Sequence, residues 1–280
     1  VDSIARRVGD KPTTKYGQPI VVENRAGAGG AIGTEFVARA PADGYTLLVV
    51  SPGHAVAPSL QKGVTWNPVR DFRAIEGFGI VPNVLVVHPS VPAKTMAEFI
   101  ALAKKSSEPI TYATAGVGTS NHLSGELLAQ MAGIKLTHVP YKGASAALTA
   151  LMANEVQMVI DPLATAKKYA EAGKMRALGV TTAQRTELWP QLPTIAESGV
   201  PGFDTAVWYG MYAPAKTPPA TVAALNKELV AILQSDEMRK WLSQEGLEPV
   251  ADKPAQSQEF LRKEIERWQS LAKSAGIQTE

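Results

Sequence analysis

Apolar and polar positions alternate in two rhythms along the chain, short β-branched runs and longer stretches at helical spacing, and the two kinds succeed one another from end to end. This alternation predicts an α/β fold with mostly parallel sheets. Ile20-Val21-Val22 reads as a short strand ending at Glu23, followed by a glycine-rich turn and a helix over about Ile32 to Arg39. Ala42-Asp43-Gly44 reads as a turn, and Tyr45 to Val50 as a strand stopping at Ser51. Further strands are predicted at Val84 to Val87, Ile110 to Ala113, Val156 to Ile160 and Arg176 to Val180.

Thr95-Met96-Ala97-Glu98 and Thr194-Ile195-Ala196-Glu197 have the spacing of capping boxes, in which a hydroxyl takes a first-turn amide and a glutamate reaches back. The helix behind Thr95 carries Phe99, Leu102 and Ala103 on one face; the one behind Ser120 carries Leu123, Leu127, Leu128 and Met131. Thr194 is expected to start a short helix closing at Gly199, and Pro218-Pro219 a long one. From there the chain reads as helical almost to its end, with breaks near Ser235 and over Gly246 to Pro254.

Composition narrows the function. The 280 residues are 45% hydrophobic and 19% charged, enough apolar material for a core in each of two lobes. The net charge of +2 comes from cations spread along the sequence, so no nucleic-acid footprint is visible. The absence of cysteine excludes disulfides, thiolate metal sites and cysteine nucleophiles. No apolar run reaches the length of a membrane helix. The sequence opens at Val1 without methionine, in what reads as the body of a helix, so an export signal is expected upstream.

Candidate chemistry gathers where predicted strands end in small polar residues: Ser51, Thr114, Asp161 and Thr181-Thr182. Ligands of open α/β sheets bind beyond the carboxyl ends of strands, where helix N-termini add unpaired amides. Gly116-Val117-Gly118-Thr119-Ser120-Asn121 suits an anion such as a carboxylate, with two glycines for close approach and three polar side chains before a helix. An ordinary tight turn with a cap explains the same loop. Asp161 reads equally as a ligand contact or a helix cap, Lys142 as a solvated cation before a partner for an anionic ligand, and Trp208 and Tyr209 as core before a crevice wall. Of the four histidines, His54 and His122 lie in or beside candidate loops; none has metal-pair spacing, and each reads first as structural. The run Gly27 to Gly33 is no dinucleotide fingerprint, since the third required glycine falls on Ile32 and no acidic residue ends the next strand. No G-x-S-x-G elbow accompanies Ser120.

Val21-Val22-Glu23-Asn24-Arg25-Ala26-Gly27-Ala28-Gly29-Gly30 closely resembles the signature of tripartite tricarboxylate transporter receptors, the TctC or Bug-type proteins, with alanine for the usual proline at position 26. Asp43 to Leu48, His138 to Gly143, Arg176 to Leu178, Leu192 to Gly199, Trp208 to Gly210 and Ala213-Pro214 match in family order. The resemblance implies a type II periplasmic binding-protein fold, with two lobes joined by crossover strands near Val86-Val87-His88 and Met211-Tyr212-Ala213. Lobe I is expected over 1–88 with 211–280, its first strand upstream of this sequence, and lobe II over 89–210. The implied function is a periplasmic, monomeric receptor that binds a small carboxylate between its lobes and delivers it to a membrane permease. No catalysis, metal or cofactor is expected. The implied ligand residues are Ser51, His54, Gly116, Thr119, Ser120 and Asp161, joined by a Pro-Gly-Gly loop that precedes Val1 in family members. An enzyme on the same scaffold and the effector domain of a transcription regulator are the competing readings.

Overall fold

The computed structural model describes residues 1–25, 30–60, 63–250 and 253–274. In chain order the elements are α1 (Asp2–Tyr16), α2 (Ala31–Ala38), β1 (Leu48–Val50), α3 (Gly53–Leu60), β2 (Phe72–Val87), α4 (Met96–Lys105), β3 (Ile110–Thr114), α5 (Ser120–Ala132) and β4 (Leu136–Pro140). There follow α6 (Ala144–Met152), β5 (Met158–Pro162), α7 (Leu163–Glu171), β6 (Arg176–Val180), β7 (Ala206–Pro214), α8 (Pro219–Leu233), α9 (Asp236–Gln244) and α10 (Pro254–Ser274). The chain divides into two compact units. One comprises Val1–Ile80, Trp208–Gln244 and Glu248–Glu280, the other Val81–Val207 and Glu245–Leu247. The divisions therefore fall inside β2 and β7.

In the first unit β1 pairs antiparallel with β7, Val49 opposite Met211. An aromatic nest of Trp66, Phe72 and Tyr212 lies in its core. In the second unit β2 lies between β5 and β6, antiparallel to both, while β3 lies between β4 and β5, parallel to both. The sheets are thus mixed, not mostly parallel, because β2 runs against its neighbours.

Strand alternation divides the second unit's core between two faces. Leu85, Val87, Tyr112, Met158 and Ile160 pack with Phe99 of α4 and Leu128 of α5. Val84, Val86, Ala113, Val159 and Val180 pack with Leu148 and Leu151 of α6 and Leu163 of α7. Each large apolar side chain so buried stabilises the unit by roughly 1.5–3 kcal/mol.

Several sequence expectations are corrected. Ile20-Val21-Val22 is not a strand: the segment has no ladder partner among the described residues, Val21 is 77% exposed, and Ile20 N donates to Thr13 Oγ1. The strand expected from Tyr45 begins at Leu48, and Tyr45 projects into solvent where Asp43 Oδ1 accepts its amide in a turn. The strand expected at Val84 starts twelve residues earlier, at Phe72; Gly77, Gly79 and Pro82 break the apolar pattern without breaking the strand. Thr194 and Glu197 form the reciprocal box, each side chain taking the other's amide at 2.9 Å, yet only turns follow. Gly199, at φ 116°, ends the segment before a helix is established. At Thr95 the hydroxyl takes the Glu98 amide at 3.2 Å, while Glu98 reaches the Lys94 amide, one residue before the cap. Ala26, Gly27, Ala28 and Gly29 of the glycine-rich turn lie outside the described residues; Gly30 is the N-cap of α2.

Candidate functional site

The loop from β3 to α5 is built around two glycines in the left-handed region, Gly116 at φ 133° and Gly118 at φ 76°, a conformation costly to any residue with a Cβ. Its backbone is fastened from below. Thr114 Oγ1 accepts the Gly116 amide and donates to the Gly116 carbonyl, both at 3.2 Å. That carbonyl also accepts the Thr119 hydroxyl at 2.7 Å.

Thr119 occupies the N-cap of α5 with extended backbone, but its side chain makes no cap bond, being spent on Gly116. The first amides of α5 have no intrahelical carbonyl to meet, and they carry the helix's partial positive charge. Ser120 Oγ contacts Asn121 Oδ1 at 3.4 Å, and Asn121 Nδ2 donates to the carbonyl of Ile160. That bond ties the first turn of α5 to the end of β5, one residue before Asp161.

Asp161 is 1% exposed, and its Oδ2 is without a hydrogen-bond partner among the described residues. Burial pushes its carboxyl up to about 7, because the charged form is poorly solvated there.

A polar cluster lies behind the loop. His122 Nδ1 accepts the Gly118 amide at 3.1 Å. The His122 ring stacks on His138 of β4, centroids 4.0 Å apart and planes 24° off parallel. His138 Nε2 lies 2.6 Å from Thr114 Oγ1. The threonine hydroxyl has one proton; given to the Gly116 carbonyl, it leaves His138 Nε2 as the donor. Tyr112, opposite His138 in the β3–β4 register, donates to Glu126 Oε1 at 2.5 Å. That carboxylate oxygen lies 3.8 Å from His122 Nε2. Burial holds His122 near 4; burial and the neighbouring His122 do the same to His138, with Glu126 opposing.

The sequence expectation places Gly116, Thr119 and Ser120 together, and the structure gathers them with the neighbourhood of Asp161 in the second unit. Ser51 and His54 belong to the first unit, Ser51 just after β1 and His54 in the first turn of α3, where the His54 amide donates to the Ser51 carbonyl at 2.9 Å. The His54 ring is buried, stacked on Trp66 at 5.0 Å and met edge-on by Phe72 at 5.0 Å, and neither nitrogen has a hydrogen-bond partner among the described residues. Burial pushes it down to about 3. The supporting role of His138 is absent from the sequence expectations, because its place opposite Tyr112 is a fact of sheet register that no local pattern carries. Among the described residues no group of three His, Cys, Asp or Glu side chains could hold a metal ion, and no helix is long and apolar enough to cross a membrane.

The family model for the tripartite tricarboxylate transporter family receptor matches residues 4–277. The chain belongs to this receptor family. One similar solved structure is Rpa4515 of R. palustris with adipate, at 38% identity and TM-score 0.86, covering 100% of this chain and 94% of that one. A second is the periplasmic binding protein BugD, at 34% identity and TM-score 0.82, with 100% and 94% covered. A third is MatC from Rhodopseudomonas palustris with bound malate, at 30% identity and TM-score 0.81, with 96% and 93% covered. This receptor therefore has the two-lobed periplasmic binding-protein fold of its family.

Proposed function

We propose that this receptor binds a small organic acid in the periplasm and hands it to the membrane permease of a tripartite transporter, as a monomer and without making or breaking a bond. The observation that carries the reading is the β3–α5 loop: two glycines, an N-cap hydroxyl withdrawn from its own helix, and first-turn amides with no side-chain cap. Neutral N–H and O–H donors of this kind grip a carboxylate in place of its hydration shell. The adipate and malate of related structures fit the same chemistry.

In this reading Gly116 and Thr119 shape the loop, their amide and hydroxyl being spent within it, and Ser120 with the first amides of α5 holds one carboxylate. Asp161, close to protonation at neutral pH, donates or accepts at a second polar group. Ser51 supplies further donors, and His54 anchors the Ser51 turn through its backbone. An acid–base mechanism needs a base free to take the proton of a nucleophile, and the Nδ1 of His122 is spent on a backbone amide.

The test is a thermal titration with adipate, malate and a panel of mono-, di- and tricarboxylates. Because only the folded state binds, the melting temperature rises with ligand concentration, by RT ln(1 + [L]/Kd) in free energy. NMR of the recovered acid is expected to show it unchanged. A panel that leaves the melting temperature unmoved, or an acid that is consumed, overturns the proposal.

A further inference from the structure

His122 is nearly sealed from solvent yet wired to the backbone of the loop assigned to the ligand. Its Nδ1 accepts from the Gly118 amide, so that nitrogen must be without a proton and the ring, when neutral, carries its proton on Nε2. A protonated Nδ1 is a donor facing a donor, and the bond inverts to repulsion. Gly118 stands at φ 76°, between Gly116 and the N-cap Thr119, so this amide fixes the middle of the loop.

The groups facing the imidazole decide how firmly it stays neutral. From its own helix, Glu126 Oε1 lies 3.8 Å from Nε2 and favours protonation. From β3, Tyr112 donates to that same oxygen and weakens its pull. From β4, the stacked His138 ring opposes a second positive charge 4.0 Å away. Burial opposes it too, and the balance falls on the neutral side, with both rings held near 4.

We propose that His122 is the positioning residue of the β3–α5 loop, holding it in acid-binding shape only while Nδ1 is proton-free, so that acidification releases both the loop and the bound acid. The His138 ring is the second half of the device, because it stacks on His122 and, by a separate contact, fastens Gly116 through Thr114. This inference rests on the proposed function for its consequence but not for its geometry, and the two are tested apart.

Amide exchange of Gly118, followed by NMR on the full chain without ligand, reads the clamp directly. In His122→Asn the side-chain oxygen replaces Nδ1 as acceptor, and Gly118 keeps its protection factor at all pH values. In His122→Leu the protection falls about tenfold, the equivalent of one hydrogen bond. In the wild type it falls in step with His122 protonation between pH 6 and pH 3. Adipate titrations at pH 7 and pH 4 add the consequence: His122→Asn shows only the loss common to all variants as adipate and Asp161 take up protons, the wild type loses severalfold more than His122→Asn, and His122→Leu is already weak at pH 7. Should adipate fail to bind the wild type, the functional reading suffers and the exchange data still decide the clamp. Gly118 protection that is equal in His122→Leu and wild type overturns the inference. If the leucine variant does not fold, protection in the wild type that ignores His122 protonation overturns it equally.

Discussion

Two buried histidines, one in each unit, share burial and charge state and differ in everything else. His54 lies among Trp66, Phe72 and Tyr212 with neither nitrogen paired among the described residues. His122 is bonded to a loop amide, stacked on a second imidazole and placed near a carboxylate. Burial lowers both, His54 to about 3 and His122 to about 4. A depressed imidazole is therefore no mark of a working site in itself; what distinguishes His122 is that its lone pair holds a piece of backbone. His54 is an aromatic filler that happens to contain nitrogen.

The comparison breaks most severely if the scaffold behind His122 is displaced. A Cβ at Gly125 of α5 would stand 2.4 Å from Tyr112 Cε2, inside any permitted contact, and Tyr112 is fully buried. Gly125→Val is expected to push the Tyr112 ring out of register with His138, at a cost of about 3 kcal/mol, the upper end of overpacking. Urea unfolding of the second unit measures it. A cost under about 1 kcal/mol would mean that the Tyr112–His138 contact is loose.

His54→Phe sharpens the same comparison from the other side. The unfolded histidine takes a proton near 6.5 and the folded one only near 3, so stability is complete above 6.5 and is lost as the pH falls through that window. Between pH 7 and pH 5 this loss is about 2 kcal/mol. The phenylalanine variant is expected to match the wild type at pH 7, because neither ring nitrogen gives up a bond, and to outlast it at pH 5. Melting curves at the two pH values check it, and adipate affinity is expected to stay unchanged.

How far the sequence disclosed all this depended on whether the signal was local. The helices with a local start signal, α4 behind Thr95, α5 behind Thr119 and α8 behind Pro218, stand where their residues predict. The β3–α5 loop was legible from its glycines and hydroxyls. The failures involve partners distant in sequence. Ile20-Val21-Val22 has strand residues but no neighbour to pair with, and β2 continues through Gly77, Gly79 and Pro82 because its ladder and buried flanks override those breaks. The His122–His138 stack joins residues of two elements, one of which, β4, was not recognised. No spacing rule connects a residue of α5 with one of β4, which only the packing of helix on sheet brings to 4.0 Å.

Asp161 gives the opposite pH slope to His54. Its folded carboxyl holds a proton to about 7, while the unfolded one loses it near 3.8, so the folded state is favoured below that window and loses stability as the pH rises through it. Asp161→Asn removes the ionisation and is expected to gain about 1.4 kcal/mol on the wild type for the single unit between pH 5 and pH 6. Chemical denaturation across that interval checks it. A wild type and variant with parallel profiles would show that Asp161 ionises in the fold as freely as in water.

The smallest effect separates structure from function at two threonines in the same position of their helices. Thr95 caps α4 by taking the Glu98 amide, whereas Thr119 leaves the first amides of α5 unmet and turns its hydroxyl to Gly116. Thr95→Ala is expected to cost about 1 kcal/mol of stability through the lost cap and to leave adipate affinity as it was. Thr119→Ala removes no cap, so its stability cost is smaller, but it leaves the Gly116 carbonyl held by Thr114 alone and is expected to weaken adipate severalfold. Paired melting and titration measurements read both columns at once. Were the two alanine variants to lose affinity alike, the withdrawn cap would not be what opens α5 to the acid.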